Sequence, residues 1–187
     1  MEKQPAETAD LEDETAFLSE ENKAKMEKYH QMISQNPSDV EAWINLGILL
    51  IQTRSYHKSL EHLNRALNII TSEQKEENIP KNVMLQNALA VAYIQLGEYS
   101  KAQECLEKAL TFDGANKDIL NNFAILYTRI GKAKEAIDYF LKILEMDDTD
   151  IHTWENLAEL YRLLGEYDES LRCKMRVLEL SDLKGER

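Results

Sequence analysis

The apolar positions of this chain fall in a helical rhythm that returns at a fixed interval. Leu85, Leu89, Ala92, Tyr93 and Leu96 recur at the three- and four-residue spacing of one helix face, and Leu106, Ala109 and Leu110 do the same after a break at Gly97. The whole pattern then repeats. Gly97, Gly131 and Gly165 stand 34 residues apart. Tyr93, Tyr127 and Tyr161 precede them by four residues, Ala90, Ala124 and Ala158 by seven, and Leu89, Phe123 and Leu157 by eight. Ala102, Ala136 and Ser170 follow by five, and Leu110, Leu144 and Leu178 by thirteen. One period kept by several columns at once predicts an array of stacked helix pairs, because no single pair can bury its apolar face alone. Each glycine falls where the first helix of a pair ends and a left-handed residue is tolerated. The small columns let paired helices approach to roughly 8–10 Å.

Upstream of this stretch, residues 15–36 predict an amphipathic helix with Met26, Tyr29 and Ile33 on one face, ended at Asn36-Pro37. It would cover the exposed flank of the first full copy. Ser38-Asp39-Val40-Glu41 reads as a capping box. The first copy then runs from about Val40 with Trp43, Leu46, Gly47 and Leu50, followed by Ser59, Leu63 and Ala66. The others start near Val83, Lys117 and Ile151. The step from first to second copy is nine residues longer than the period, and the extra polar residues, 71–82, predict either a lengthened helix or a surface loop. Pro80 suits the first turn of the next helix. In the fourth copy Lys174 takes the column of Leu63, Leu106 and Phe140, which predicts that this face meets water. Residues 1–14 are polar and acidic and predict a disordered tail.

Taken together, these columns resemble the tetratricopeptide repeat family over roughly residues 40–182. The departures are local: Leu50 stands where tyrosine is usual, Gln86 and Leu120 replace a tryptophan, and the closing proline is missing from all four copies. The resemblance implies an all-α fold, a right-handed solenoid of about four helical hairpins with an N-terminal capping helix, spanning 15–187 as one domain. It also implies a protein–protein interaction module, an adaptor or scaffold that holds a peptide or helix of a partner in a concave groove lined by the first helices. Carried over by register, the groove candidates are Ile44, Asn45 and Ile48, then Asn87 and Val91, then Asn122 and Ile125, and finally Asn156 and Glu159. Asn45, Asn122 and Asn156 share one position, and a row of side-chain amides can both donate to and accept from an extended backbone. The groove's first half is apolar and its second half charged. One subfamily grips the C-terminal carboxylate of a chaperone with paired basic residues and asparagine. The matching positions here are Ile44, Ile48, Ala88, Asp118 and Asn122; none is basic and Asp118 would repel a carboxylate, so that tail is not expected as a partner.

Composition narrows the alternatives. Charged residues make up 30% of the chain and the net charge is −12, with eight acids and one lysine in residues 1–22. Nucleic acid is not expected as a partner, since its binding needs a basic surface that displaces counterions. No apolar run approaches the ~20 residues of a membrane span, and the polar N-terminus is unlike a secretory signal. No membrane partner and a cytoplasmic address are therefore expected. Cys105 and Cys173 lie two copies apart and are expected as free thiols. No glycine-rich phosphate loop, paired CxxC or HExxH occurs. His57 and His62 are five apart, on different helix faces, and His30 and His152 stand alone in sequence. Catalysis, a cofactor and a metal are not expected. The alternative to a peptide-binding adaptor is a structural subunit of a stable complex or a self-associating assembly factor.

Overall fold

The computed structural model describes residues 19–73 and 79–185. The acidic tail 1–14, positions 15–18 of the expected first helix and positions 74–78 of the expected insertion lie outside them. Among the described residues every regular element is an α-helix. In chain order these are α1 (Glu20–Gln35), α2 (Val40–Gln52), α3 (Tyr56–Glu73), α4 (Ile79–Gln95), α5 (Tyr99–Phe112), α6 (Lys117–Arg129), α7 (Ala133–Met146), α8 (Ile151–Leu163) and α9 (Tyr167–Gly185). Their contacts gather into two compact units, the first ending at Ala92 and the second beginning at Tyr93.

In unit 1, α2 is flanked by α1 on one side and α3 on the other. Met26 of α1 is fully buried against Leu46, Leu49 and Leu50 of α2, with Tyr29 and Ile33 packed around them. On α2's other flank the approach is closer. A Cβ built on Gly47 would lie 2.6 Å from both Cγ and Cδ2 of Leu63 on α3. The small column is thus a contact requirement in this copy, met here by glycine where the later copies hold alanine. The insertion lengthens helices on both sides of it: α3 has 18 residues and α4 has 17, against 14 in α5 and 13 in α6. Ile79 and Pro80 open α4, four residues before the start that the period predicts.

Unit 2 repeats one construction. Ala124 and Ala136, the small pair of the third copy, are both fully buried, and around them Leu120, Ile137, Phe140, Ile143, Leu144, Leu157 and Leu160 form a single apolar cluster. Each such side chain contributes about 1.5–3 kcal/mol on burial. In the fourth copy Ser170 takes the small position, and its Oγ donates to the carbonyl of Ala158 at 2.7 Å, so the buried hydroxyl is satisfied. Tyr139 stacks on Phe123 at 4.8 Å and on Tyr127 at 5.6 Å between ring centroids.

The turns inside each pair obey one rule. The backbone N–H after the turn residue donates to the carbonyl five positions back: Glu98 to Tyr93 at 2.9 Å, Lys132 to Tyr127 at 2.8 Å, Glu166 to Tyr161 at 2.9 Å and Ser55 to Leu50 at 2.8 Å. This six-to-one closure needs a left-handed residue just before the donor. Gly97, Gly131 and Gly165 supply it with φ of 76°, 78° and 80°, and in the first copy Arg54 does so at φ 63° despite its side chain. The turns that precede α2, α6 and α8 are closed by caps instead. Asp39, Asn116 and Asp150 accept from the first free N–H groups of α2, α6 and α8. The cap of α2 is Asp39, one residue later than a capping box at Ser38 would place it. The indole N–H groups of Trp43 and Trp154 reach back to the carbonyls of Pro37 at 3.0 Å and Asp148 at 2.8 Å, bracing the turns that precede α2 and α8.

Candidate functional site

The first helix of every pair keeps part of its circumference open, and which residues fall there is set by how many neighbours the helix has. With α1 and α3 both packed on it, α2 is buried around most of its girth. Glu41, Trp43, Asn45, Ile48, Ile51 and Gln52 stay at least partly open, and four of them, Glu41, Asn45, Ile48 and Gln52, spaced four, three and four apart, share one face. Ile44 is 0% exposed, so it belongs to the core of unit 1 and is withdrawn from the groove candidates. On α4, Met84 is exposed and Asn87 and Val91 are half-buried, while Ala88 and Ile94 are buried. In unit 2, α6 leaves Asp118, Thr128 and Arg129 exposed and Ile125 half-buried, but Asn122 is only 9% exposed. On α8, His152, Glu155, Asn156, Glu159 and Arg162 are all exposed.

The three equivalent asparagines therefore sit in three environments: Asn45 half-buried, Asn122 buried and Asn156 exposed. They do not present a uniform row of amides. What recurs instead is a pair seven residues apart on each first helix that is never buried: Glu41 and Ile48, Met84 and Val91, Asp118 and Ile125, His152 and Glu159.

Charges on these faces are mostly paired along one helix. Arg162 donates to both carboxylate oxygens of Glu159, at 2.8 and 2.5 Å, and this holds the Glu159 carboxyl below its usual range. Between pairs in unit 2, Lys117 lies 2.7 Å from Asp150 and 3.3 Å from Asp147. Burial draws the Asp150 carboxyl upward, but hydrogen bonds from Lys117 and Thr153 outweigh it and leave it lowered; those same carboxylates raise Lys117.

Two features were not visible in sequence order. His30, which stands alone in sequence, and His62 have ring centroids 6.2 Å apart, and Trp43 stacks on His62 at 5.5 Å. Also, Leu178, placed by the period in an apolar core column, is 64% exposed, whereas its equivalent Leu144 is 8% exposed. The signal for it was already present in Lys174, which interrupts the column beside it. Cys105 and Cys173 are both buried and unbridged, and burial pushes the Cys105 thiol up to about 11. Among the described residues no three His, Cys, Asp or Glu side chains are grouped to hold a metal ion, and no helix is long and apolar enough to cross a membrane.

Comparison with known proteins agrees with this construction. Three family models, each described as tetratricopeptide repeat, match residues 39–115, 87–151 and 139–172. A curated relative, the BBSome complex member BBS4 of Bos taurus, is 28% identical over 124 residues, 54% of this chain and 24% of that protein. The chain thus spans about a quarter of that relative's length. Among solved structures, a crystal structure of MamA superposes with a TM-score of 0.71 at 17% identity, covering 91% of this chain and all of that one. A thermophilic repeat protein of Thermus thermophilus gives 0.68 at 20% identity, covering 84% and 81%. At these identities the likeness is one of fold: an all-α helical-hairpin repeat.

Proposed function

Because this chain belongs to the tetratricopeptide repeat family, whose members mediate protein–protein interaction and scaffolding, we propose that it is an adaptor whose open first-helix faces hold a peptide or helix of a partner protein. The observation that carries this reading is the unburied pair, seven residues apart, on the first helix of all four copies. Side chains kept open at one register position in every copy can reach a ligand without disturbing the core. The contact residues are Asn45, Ile48, Asn87 and Val91 in unit 1 and Ile125, Asn156 and Glu159 in unit 2, with Asn122 at the margin of the α6 face. The two units offer different chemistry. The unit 1 faces set Ile48, Met84 and Val91 among Asn45, Gln52 and Asn87 and suit a segment of aliphatic side chains with amide-bonding backbone. The α8 face carries Glu155, Asn156 and Glu159 and suits a basic or amide-rich segment.

A chain with both Ile48→Glu and Ile125→Glu should lose the proteins it captures from native extract while keeping its helical circular dichroism. Both residues are only half-buried, so the fold should tolerate the change. Undiminished capture by the doubly substituted, folded chain would remove the first-helix faces as the site. The second reading, a structural subunit of a stable assembly, is favoured by the similarity to a protein named as a complex member. It predicts that the captured protein stays bound through gel filtration in a fixed ratio.

A further inference from the structure

We propose that the outer edge of unit 2, formed by α8 and α9, is a second docking surface, which takes a basic amphipathic helix of a partner protein. The chain itself supplies the template. In the third copy the corresponding edge, formed by α6 and α7, is covered by α8. There Phe140, Ile143 and Leu144 are buried beneath Trp154, Leu157 and Leu160. Thirty-four residues later the equivalent positions are Lys174, Val177 and Leu178, and among the described residues no helix covers them. Together with Glu155, Ala158 and Glu159 they line an open depression of about 510 Å³.

The apolar face is wider than this depression. Leu171 is 58% exposed where Ile137, its equivalent, is 7% exposed, and Tyr167 and Met175 are exposed as well. Tyr167, Leu171, Met175 and Leu178 follow one another by four, four and three residues, so they form one stripe along α9. A contiguous apolar stripe of this kind, left open on a surface helix, marks an interaction surface.

Charge selects the occupant. Each arginine along the edge is already in an ion pair: Arg162 with Glu159, Arg172 with Glu169, and Arg176 with Asp148 and Glu179. Asp168 and Asp182 are exposed and lie seven residues from Met175 on either side, which puts them on the stripe's own face. Glu155 is exposed on the α8 side, with only His152 beside it. Lys174 is the one exposed lysine in the lining of the depression, set against Glu155, Asp168 and Asp182, so the balance along the edge stays negative, and a helix carrying lysine or arginine beside its apolar stripe complements it. A second copy fits less well. Pairing α9 antiparallel with itself about Leu171 and Met175 would bring Asp168 of one copy toward Leu178 and Glu179 of the other. The chain's net charge of −12 adds general repulsion.

The probe is a synthetic peptide of residues 150–164 carrying Glu155→Lys and Glu159→Lys, which keeps the Trp154–Leu157–Leu160 stripe and gives it basic flanks. Its binding to the full chain is read by fluorescence anisotropy. Saturable binding is expected, weakened at least about tenfold by Leu171→Asp with Leu178→Asp, as the loss of two apolar contacts implies. Asp168→Lys with Asp182→Lys should weaken it too, and increasingly less so as salt is raised. All four sites are exposed, so these variants should keep their helical spectrum. Ile48→Glu with Ile125→Glu should leave peptide binding unchanged, which separates this surface from the α2 and α6 faces, while α8 is shared through Glu155 and Glu159. Equal binding of the unsubstituted acidic peptide or of a scrambled basic one would overturn the proposal. So would equal loss of binding in the first-helix variant. Concentration-dependent dimerisation abolished by Leu171→Asp would replace the partner helix with a second copy.

Discussion

The contact between Gly47 and Leu63 offers a test in which the sign of the effect, and not only its size, is decided by geometry. Gly47→Ala changes a helix interior from the second-worst residue to the best, a gain of about 1 kcal/mol in propensity. Against this stands the new methyl, 2.6 Å from two carbons of Leu63 where about 3.5–4.0 Å is comfortable. One of those carbons is Cγ, which cannot swing away on a terminal bond, and Leu63 is fully buried, so little room exists to move into. Overpacking of this kind costs about 1–3 kcal/mol. With Cγ in the way the cost falls in the upper part of that range, about 2–3 kcal/mol, so the net expectation is a loss of about 1–2 kcal/mol, a fall in Tm of about 2–8 °C for a chain of this size. Leu63→Ala alone should cost about 2–5 kcal/mol. Once it has removed the obstacle, Gly47→Ala should become stabilising by about 1 kcal/mol, because only the propensity gain is left. The assay is thermal and urea unfolding of the four proteins of this cycle, followed by circular dichroism. If Gly47→Ala stabilises the otherwise unchanged chain, or costs the same with and without Leu63, the close approach of α2 and α3 is not what dictates glycine there.

Three other expectations follow from the same structure. Phe140→Ala, in the cluster that joins α7 to α8, should lower unfolding stability by about 3–5 kcal/mol, and a change below about 1 kcal/mol would mean the ring does not fill that gap. Arg54→Gly should leave stability unchanged or raise it by up to about 1 kcal/mol, since it relieves a left-handed arginine while adding backbone freedom to the unfolded chain; a measured loss would contradict the positive φ. Asp150→Asn keeps a capping side chain but removes the charge that Lys117 contacts. Because the folded Asp150 carboxyl lies below its unfolded value, its contribution is present above about pH 4 and disappears as pH falls through the lowered folded value. The stability gap between the two proteins should therefore be visible at about pH 6 and close in acid, and a gap independent of pH would rule out the ion pair as its source.

The helix pairs were legible because their requirements are local and repeat. A left-handed turn asks for glycine at 97, 131 and 165, and a tight crossing asks for alanine at 124 and 136; each leaves a mark at a fixed position. The turn at Arg54 was not legible, because a six-to-one closure can be imposed by the flanking helices on a residue that does not favour it. The early start of α4 at Ile79 was legible only through Pro80, which suits a first turn, since polar residues continue a helix without changing the apolar columns. The candidate site was read less well, for a different reason. Register fixes the direction in which a residue points along its own helix, but exposure depends on what packs alongside. Ile44 and Asn122 lie at the margins of their open arcs, so packing on either flank suffices to close over them, while Asn156 at the same register as Asn122 stays open. Leu178 shows the converse: a column residue is core only where a following helix arrives to cover it.

The two tryptophans of this chain sit one in each unit, and each indole is anchored to the turn ahead of its helix. Replacing either with phenylalanine would leave a single tryptophan, excited apart from the tyrosines at long wavelength, whose spectrum shifts when that one turn lets go. The molecule thus carries a separate optical gauge for each half, and comparing the two melting curves would reveal whether the halves come apart together or in sequence.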